Sequence, residues 1–316
     1  MAAKRYLPSD SSPEGVTLLL AHGAGFHKEH WEPLLERLCA VQSTKEPTGR
    51  IREAWAFDWQ GHGDSAVLNE AALKRRGWGV SNATWARGIH AFLDTPHVQG
   101  HRLVMIGHSS GATAAMYSTK LFSNIPPYVA IILVEPPLID RRTFAKHLKR
   151  QQRALAAVKK ALAASRDTWP SRANAYTWLQ SRPPYSTWDE RVLRLHCEYG
   201  LRPVSADNPQ GAVTTKCTKA EEVKSLDDVE VTFEATEQLE HVCDTIPIHV
   251  IFGAVVDFVP DYGQDDVVDG SRGRRMASVT RIPGAGHLVI EQKPDAVAEG
   301  ISRILDSLAS GCHARL

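Results

Sequence analysis

The sequence predicts an α/β fold, a mostly parallel central sheet flanked by helices with a mainly helical cap inserted into it. Three observations predict it. Short apolar runs, each too brief for a helix, recur along the chain and alternate with segments of helical spacing. Several of these runs end directly in glycine-bearing turns. Between Leu138 and Thr245 the alternation stops, and a long helical, charge-rich stretch takes its place.

The first predicted strand is Val16–Leu20, which runs into Ala21-His22-Gly23-Ala24-Gly25. A helix with apolar positions at Trp31, Leu34, Leu35 and Leu38 follows, then a strand near Ile51–Phe57 and a tight loop, Asp58 to Ser65. Asn82–Leu93 has helical spacing and Leu103–Ile106 reads as a buried strand. That strand meets Gly107-His108-Ser109-Ser110-Gly111 and a small-residue helix, Ala112–Leu121. Ala130–Val134 is a further strand, closed by Glu135-Pro136-Pro137. Pro247–Phe252 and Ala277–Ile282 supply two more, and Ala296–Leu308 a closing amphipathic helix.

Strands alternating with helices imply a parallel sheet covered on both faces. The interruption divides the chain into a core, residues 1–138 and 246–316, and a cap, residues 139–245. The cap opens with a basic helical run from Arg141 to Arg166, continues through Trp178 and Trp188, and ends in an acidic stretch from Glu221 to Glu240.

With 316 residues the chain can bury a large core, and its net charge of +1 gives no global field for nucleic acid or an anionic membrane. A small-molecule partner is the default. The 5 cysteines are widely spaced, with no CxxC pair, so neither a zinc site nor a disulfide framework is suggested and reduced intracellular thiols are expected. No metal or organic cofactor is implied by any motif. The first ten residues have no apolar leader segment, and no run approaches the roughly twenty apolar residues of a membrane span.

The chemistry concentrates in three loops. Gly107-x-Ser109-x-Gly111 lies between a strand and a helix, where glycines permit the strained turn that lifts a nucleophilic serine oxygen above a sheet. The alternative is an ordinary strand-to-helix turn. His22-Gly23 ends an earlier strand, so the N–H of Ala24 can join that of Ser110 in an oxyanion hole. Gly284-Ala285-Gly286-His287 follows the last strand, where a histidine can swing to the serine as base and then acid.

A carboxylate must orient that imidazole, and the sequence offers two. Past the strand Pro247–Phe252 the usual slot is three residues after Gly253, but Val256 occupies it and Asp257 stands one residue late. Glu135, at the tip of the strand after the nucleophile's strand, is the favoured acid, with Asp257 the alternative.

In this order the residues resemble the α/β-hydrolase superfamily over nearly the whole chain. The stretch His22-Gly23-Ala24-Gly25-Phe26-His27-Lys28-Glu29-His30-Trp31-Glu32-Pro33-Leu34 is similar to the H-A-N-G-F-x-K-E-x-x-E-P-L motif of fungal peroxisomal hydrolases. That group includes a yeast peroxisomal lipase, hydrolases of host-selective-toxin biosynthesis and an acyl-CoA hydrolase of the mycophenolic acid pathway. Gly23 and Ala24 replace its Ala-Asn.

The resemblance implies a capped hydrolase of acyl esters or acyl-CoA thioesters, often in secondary metabolism. It also implies a triad acid after the sixth strand of the superfamily's count, which falls on Glu135 and is where the cap inserts. About fifteen residues precede the His-Gly strand, so one or two leading strands are expected to be missing or rearranged. The tail Ala314-Arg315-Leu316 is a conservative variant of the Ser-Lys-Leu address. With the resemblance it implies a peroxisomal import receptor as partner, the cytoplasm being the alternative location.

Three functions compete. The first is hydrolysis of an acyl-CoA or another activated acyl group, with the basic cap helix meeting CoA phosphates. The second is a carboxylesterase or lactonase acting on a neutral substrate. The third is a non-catalytic small-molecule receptor on the same fold. A haloalkane dehalogenase or epoxide hydrolase is disfavoured, because each needs a carboxylate where position 109 is serine. No nucleic-acid partner and no stable membrane insertion are expected, and a homodimer stays open.

Overall fold

The computed structural model describes residues 1–77 and 79–310. Ala314, Arg315 and Leu316 therefore lie outside the described residues. Seven strands form the main sheet. In chain order they are β1 (Ala3–Tyr6), β2 (Val16–Ala21), β3 (Ile51–Phe57), β4 (Arg102–His108), β5 (Tyr128–Val134), then β9 (Ile248–Gly253) and β10 (Ser278–Ile282). Their order across the sheet is β1-β3-β2-β4-β5-β9-β10, parallel throughout except for β1, which pairs antiparallel with β3.

Strand composition follows position in the sheet. β2 and β9 are buried at every residue, as central parallel strands covered on both faces must be. β1 alternates between exposed and half-buried positions, as expected of an edge. Within β2, Leu18 and Leu20 enter one core and Leu19 and Ala21 the other, the period of two sending neighbours to opposite faces.

On one face helices α1 (Glu32–Gln42) and a closing helix, Pro294–Ala309, bury Leu34, Leu38, Ile301 and Leu305. On the other face lie α2 (Asn82–Leu93) and α3 (Ser110–Thr119), which bury Trp85, Ile89 and Met116.

The long insertion follows β5, the fifth strand of this chain; counted with two leading strands it would be the sixth. Only one short leading strand, β1, is present ahead of β2, and the sequence had shown no signal for it. The insertion carries α4 (Leu148–Ala164), α5 (Arg172–Gln180), α6 (Glu190–Tyr199), α7 (Lys219–Ser225) and α8 (Val229–Val242). It is not wholly helical. Strands β6 (Thr168–Trp169), β7 (Leu201–Pro203) and β8 (Val213–Thr215) form a small antiparallel sheet in the order β6-β8-β7. Trp169, Leu179, Trp188 and Leu193 build a separate small core there.

The basic run is two helices, Arg141–Lys146 and α4, separated at His147, whose φ of −109° and ψ of 16° leave helical geometry. Its charges meet the acidic stretch: Arg141 pairs with Glu230 and Lys159 with Asp227. No helix among the described residues is long and apolar enough to cross a membrane.

Candidate active site

The predicted residues gather at the C-terminal ends of the parallel strands, where open α/β sheets place their ligands. β4 and β5 run in register, His108 beside Val134, so Ser109 and Glu135 leave adjacent strands side by side. Ser109 has φ 52° and ψ −119°. A non-glycine residue held there stores about 1–3 kcal/mol of strain and persists only where its surroundings over-determine it. They do so here by contact. A Cβ on Gly107 would strike the carbonyl of Gly111, and one on Gly111 would strike the carbonyl of Ala21. The Ser109 N–H is fixed by donating to Val134 O at 3.0 Å.

His287 bridges serine and acid. Its Nε2 lies 2.9 Å from Ser109 Oγ, and its Nδ1 lies 3.1 Å from Glu135 Oε2. Glu135 is 1% exposed and has φ 47°, a second strained non-glycine residue. Its N–H donates to Ile251 O at 2.8 Å, and its Oε1 accepts the Gly253 N–H at 2.6 Å. One carboxylate thus spans the main chain of β9 and the imidazole.

Asp257 is also close, but it meets the main chain rather than the ring: its Oδ1 accepts the His287 N–H at 2.8 Å. The structure therefore brings Ser109, His287 and Glu135 into one hydrogen-bonded line and sets Asp257 behind it.

Two further supports were not visible in the sequence. His108 Nε2 donates to the His287 carbonyl at 2.9 Å, and the Phe258 ring stacks on the imidazole with centroids 4.4 Å apart. Beyond His108 lies Glu291, 3.9 Å from its Nδ1. Burial raises the Glu291 carboxyl above its ordinary range and lowers the His108 imidazole. The available signal was position: His108 lies inside the elbow, and Glu291 lies in the short helix that follows His287.

Ser110 opens α3, and its N–H belongs to the first turn, which has no intrahelical acceptor. Ala24 sits in the loop after β2, turned by Gly25 at φ 82° and closed by the Phe26 N–H donating to Gly23 O at 3.2 Å. Lys28 anchors that loop from below. Its Nζ donates to Asp58 Oδ2 at 3.0 Å and Asp64 Oδ2 at 2.6 Å, while its N–H donates to Asp58 Oδ1 at 2.9 Å. The Lys of the fungal motif is thus a buried brace for the loop carrying Ala24.

A cavity of about 400 Å³ adjoins Ser110, Asp257 and Phe258. Its apolar lining residues come from both sides, Leu138 and Ile139 after β5 and Leu155 and Val158 from α4, with polar Gln151 and Gln152 of α4, Asp228 and Thr232 among them. α4 is therefore two-faced: Lys149, Arg150 and Arg153 are exposed on the face turned to solvent.

Residues 18–300 match the sequence profile of the alpha/beta hydrolase family. A curated relative, the peroxisomal membrane protein LPX1 of Saccharomyces cerevisiae, is 31% identical over 134 residues. That match spans 40% of this chain and 32% of the yeast protein. Among solved structures, the yeast peroxisomal alpha-beta-hydrolase superposes with a TM-score of 0.72 at 20% identity, over 98% of this chain and 82% of that one. E-2-(acetamidomethylene)succinate hydrolase gives a TM-score of 0.70 at 17% identity, over 96% and 99% of the two chains. The thioesterase domain from the curacin biosynthetic pathway gives 0.62 at 18% identity, over 95% and 93%.

Proposed function

The chain belongs to the α/β-hydrolase family, and we propose that it is a serine hydrolase cleaving an ester or thioester of an apolar acyl group through an acyl-enzyme intermediate. The observation that carries this reading is the hydrogen-bonded line from Ser109 Oγ through His287 to Glu135, beside Ser110 and Asp257, which line the adjoining cavity. Ser109 Oγ attacks the carbonyl carbon as its proton passes to His287 Nε2. Glu135 stabilises the imidazolium that forms. The N–H groups of Ala24 and Ser110 receive the oxyanion, and Asp257 holds the main chain of His287 in register. Collapse of the intermediate expels an alkoxide or thiolate, which takes the proton from His287. Water then attacks the acyl-enzyme with His287 as base, and Ser109 is regenerated.

Residues 139–245 act as the cap, because α4 and α8 contribute Leu155, Val158 and Val229 to the cavity wall. These apolar residues favour the acyl part of the substrate and leave the leaving group at the rim, near the basic outer face of α4. A CoA thioester suits that division, and the fold shared with a thioesterase domain is consistent with it. A neutral ester or lactone is the competing substrate. The hydrogen-bonded nucleophile argues against a non-catalytic receptor. Similarity to a yeast protein named as peroxisomal supports a peroxisomal location, and the resemblance to toxin-biosynthesis hydrolases supports a place in secondary metabolism.

Ser109→Ala tests the reading. It removes the nucleophile and little bulk, so the melting temperature should hold while kcat falls by about 10⁵–10⁶-fold, as for nucleophile deletions elsewhere. Substantial residual turnover would remove Ser109 from the mechanism. Rates on acyl-CoA thioesters against matched simple esters then separate the two substrate classes.

A further inference from the structure

We propose that His27, His30 and His196 form a zinc site that clamps the insertion onto the core. His27 precedes the short helical turn Lys28–Trp31 after the β2 loop and His30 lies within it, both on the core side, whereas His196 belongs to α6 of the insertion. All three are buried, and one nitrogen from each lies within 4.8 Å of the others. His30 Nε2 and His196 Nδ1 are 3.1 Å apart. Two nitrogens on a tetrahedral Zn²⁺, each about 2.05 Å from the ion, stand about 3.3 Å from one another. That pair is already at ligand spacing, and the third has at most about 1.5 Å to close.

A second observation points to the same ligand. His27 Nε2 is buried with no hydrogen-bond partner, which costs about 1–3 kcal/mol when left uncompensated. Its Nδ1 lies 2.9 Å from Glu29 Oε2, and His30 Nδ1 lies 3.2 Å from Glu291 Oε1. A carboxylate on Nδ1 holds the proton there and leaves Nε2 as a bare lone pair, the arrangement that orients zinc-binding histidines. His196 then donates from Nδ1 to His30 in the metal-free chain. On taking the ion it shifts that proton to its own Nε2 and stays neutral.

Surroundings and access fit as well. Phe26 and Trp188 pack on His30, with centroids 4.8 and 5.4 Å away, and form an apolar wall. A small cavity of about 50 Å³ touches His27 and His196, giving a route inward and room for a water as fourth ligand. Three imidazoles select zinc or a neighbouring transition metal over Mg²⁺ or Ca²⁺, which need oxygen ligands. Glu29 and Glu291 offset the ion's charge, Glu29 being shared with Lys28 Nζ at 3.0 Å. The spacing carries no sequence signal, because the third ligand lies far along the chain.

The test uses the full chain, stripped with a chelator, dialysed and titrated with ZnCl₂ by calorimetry, with Co²⁺ absorption as a second readout. One equivalent of Zn²⁺, a raised melting temperature and the visible bands of tetrahedral Co²⁺ are expected. His27→Gln and His196→Gln should each weaken zinc binding by at least about 100-fold, and Glu29→Gln by about 10- to 100-fold. His90→Gln, remote from the cluster, should bind as the parent does. If His27→Gln does not fold, His196→Gln on the insertion still decides. No uptake at a tenfold excess of zinc, or uptake unchanged in His196→Gln, overturns the proposal.

Discussion

Replacing Glu135 by glutamine should cripple catalysis for a reason that the hydrogen bonds specify. Glu135 Oε1 accepts the Gly253 N–H at 2.6 Å, and Oε2 faces His287 Nδ1 at 3.1 Å. In Glu135→Gln only the amide oxygen can accept from Gly253, so the NH₂ must turn toward Nδ1. It then donates there, fixing Nδ1 as acceptor and putting the ring proton on Nε2, directed at Ser109 Oγ. The base is lost without moving the ring. A triad acid replaced by its amide costs about 10⁴ in kcat elsewhere, so a loss of about 10³–10⁴-fold, roughly 4–5.5 kcal/mol of transition-state stabilisation, is expected.

Asp257→Asn behaves differently, because its Oδ1 accepts from a main-chain N–H and an amide oxygen can do the same. Its loss should stay within about tenfold. Steady-state hydrolysis of one chromogenic ester by both variants, with melting temperatures as a folding check, measures the contrast. A large loss in Asp257→Asn with Glu135→Gln near the parent rate would refute the reasoning and exchange the two roles. Comparable losses would mean that the carboxylates share the imidazole.

Burial holds the His22, His30 and His196 imidazoles down to about 3. In the unfolded chain they titrate near 6.5 (about the model-peptide value). Between those values the unfolded state binds more protons, so stability present above pH 6.5 is lost as pH falls toward 3. These three imidazoles alone should cost metal-free protein up to about 4 kcal/mol per pH unit near pH 5 in urea unfolding. Burial shifts His27 and His62 the same way, while buried carboxyls oppose it, Glu222 pushed up to about 7 and Glu291 raised. A flat profile would contradict the expectation. Neutralising Lys149, Arg150 and Arg153 together should raise KM for a CoA thioester more than it lowers kcat, with the effect shrinking at high salt. An unchanged KM would make that face a solvated surface. A fluorescent fusion ending in Ala314-Arg315-Leu316 should be punctate and peroxisomal in a fungal cell, and removing the three residues should disperse it. Diffuse signal from the intact tail would favour the cytoplasm.

Much of the architecture was legible because buried parallel strands are written as continuous apolar runs, as in Leu18 to Leu20 or Ile131 to Val134. Edges carry weaker signals. β1 is four residues of mixed polarity whose pairing with β3 is decided by tertiary context, and the two- and three-residue strands β6, β7 and β8 have no readable period. The glycines around Ser109 and His287 announced the loops, since close backbone approach excludes a side chain.

The division of labour between Glu135 and Asp257 turned on a one-residue offset after Gly253, from which the sequence favoured Glu135 and kept Asp257 as the alternative. The His108–Glu291 support and the His27–His30–His196 cluster join residues distant in the chain, so no local spacing records them. The basic run has a second face that its charges do not announce. Its charges face solvent and the acidic stretch, while Leu155 and Val158 reach the cavity together with Gln151, Gln152 and Ala154.

The most direct test is covalent. A fluorophosphonate probe added to the full chain, followed by intact mass and peptide mapping, should leave one equivalent on Ser109. Labelling should vanish in Ser109→Ala and fall steeply in His287→Ala, where the base is gone. Modification at any other residue, or hydrolysis that continues in a chain whose Ser109 is absent, would contradict the assignment of Ser109 as the nucleophile.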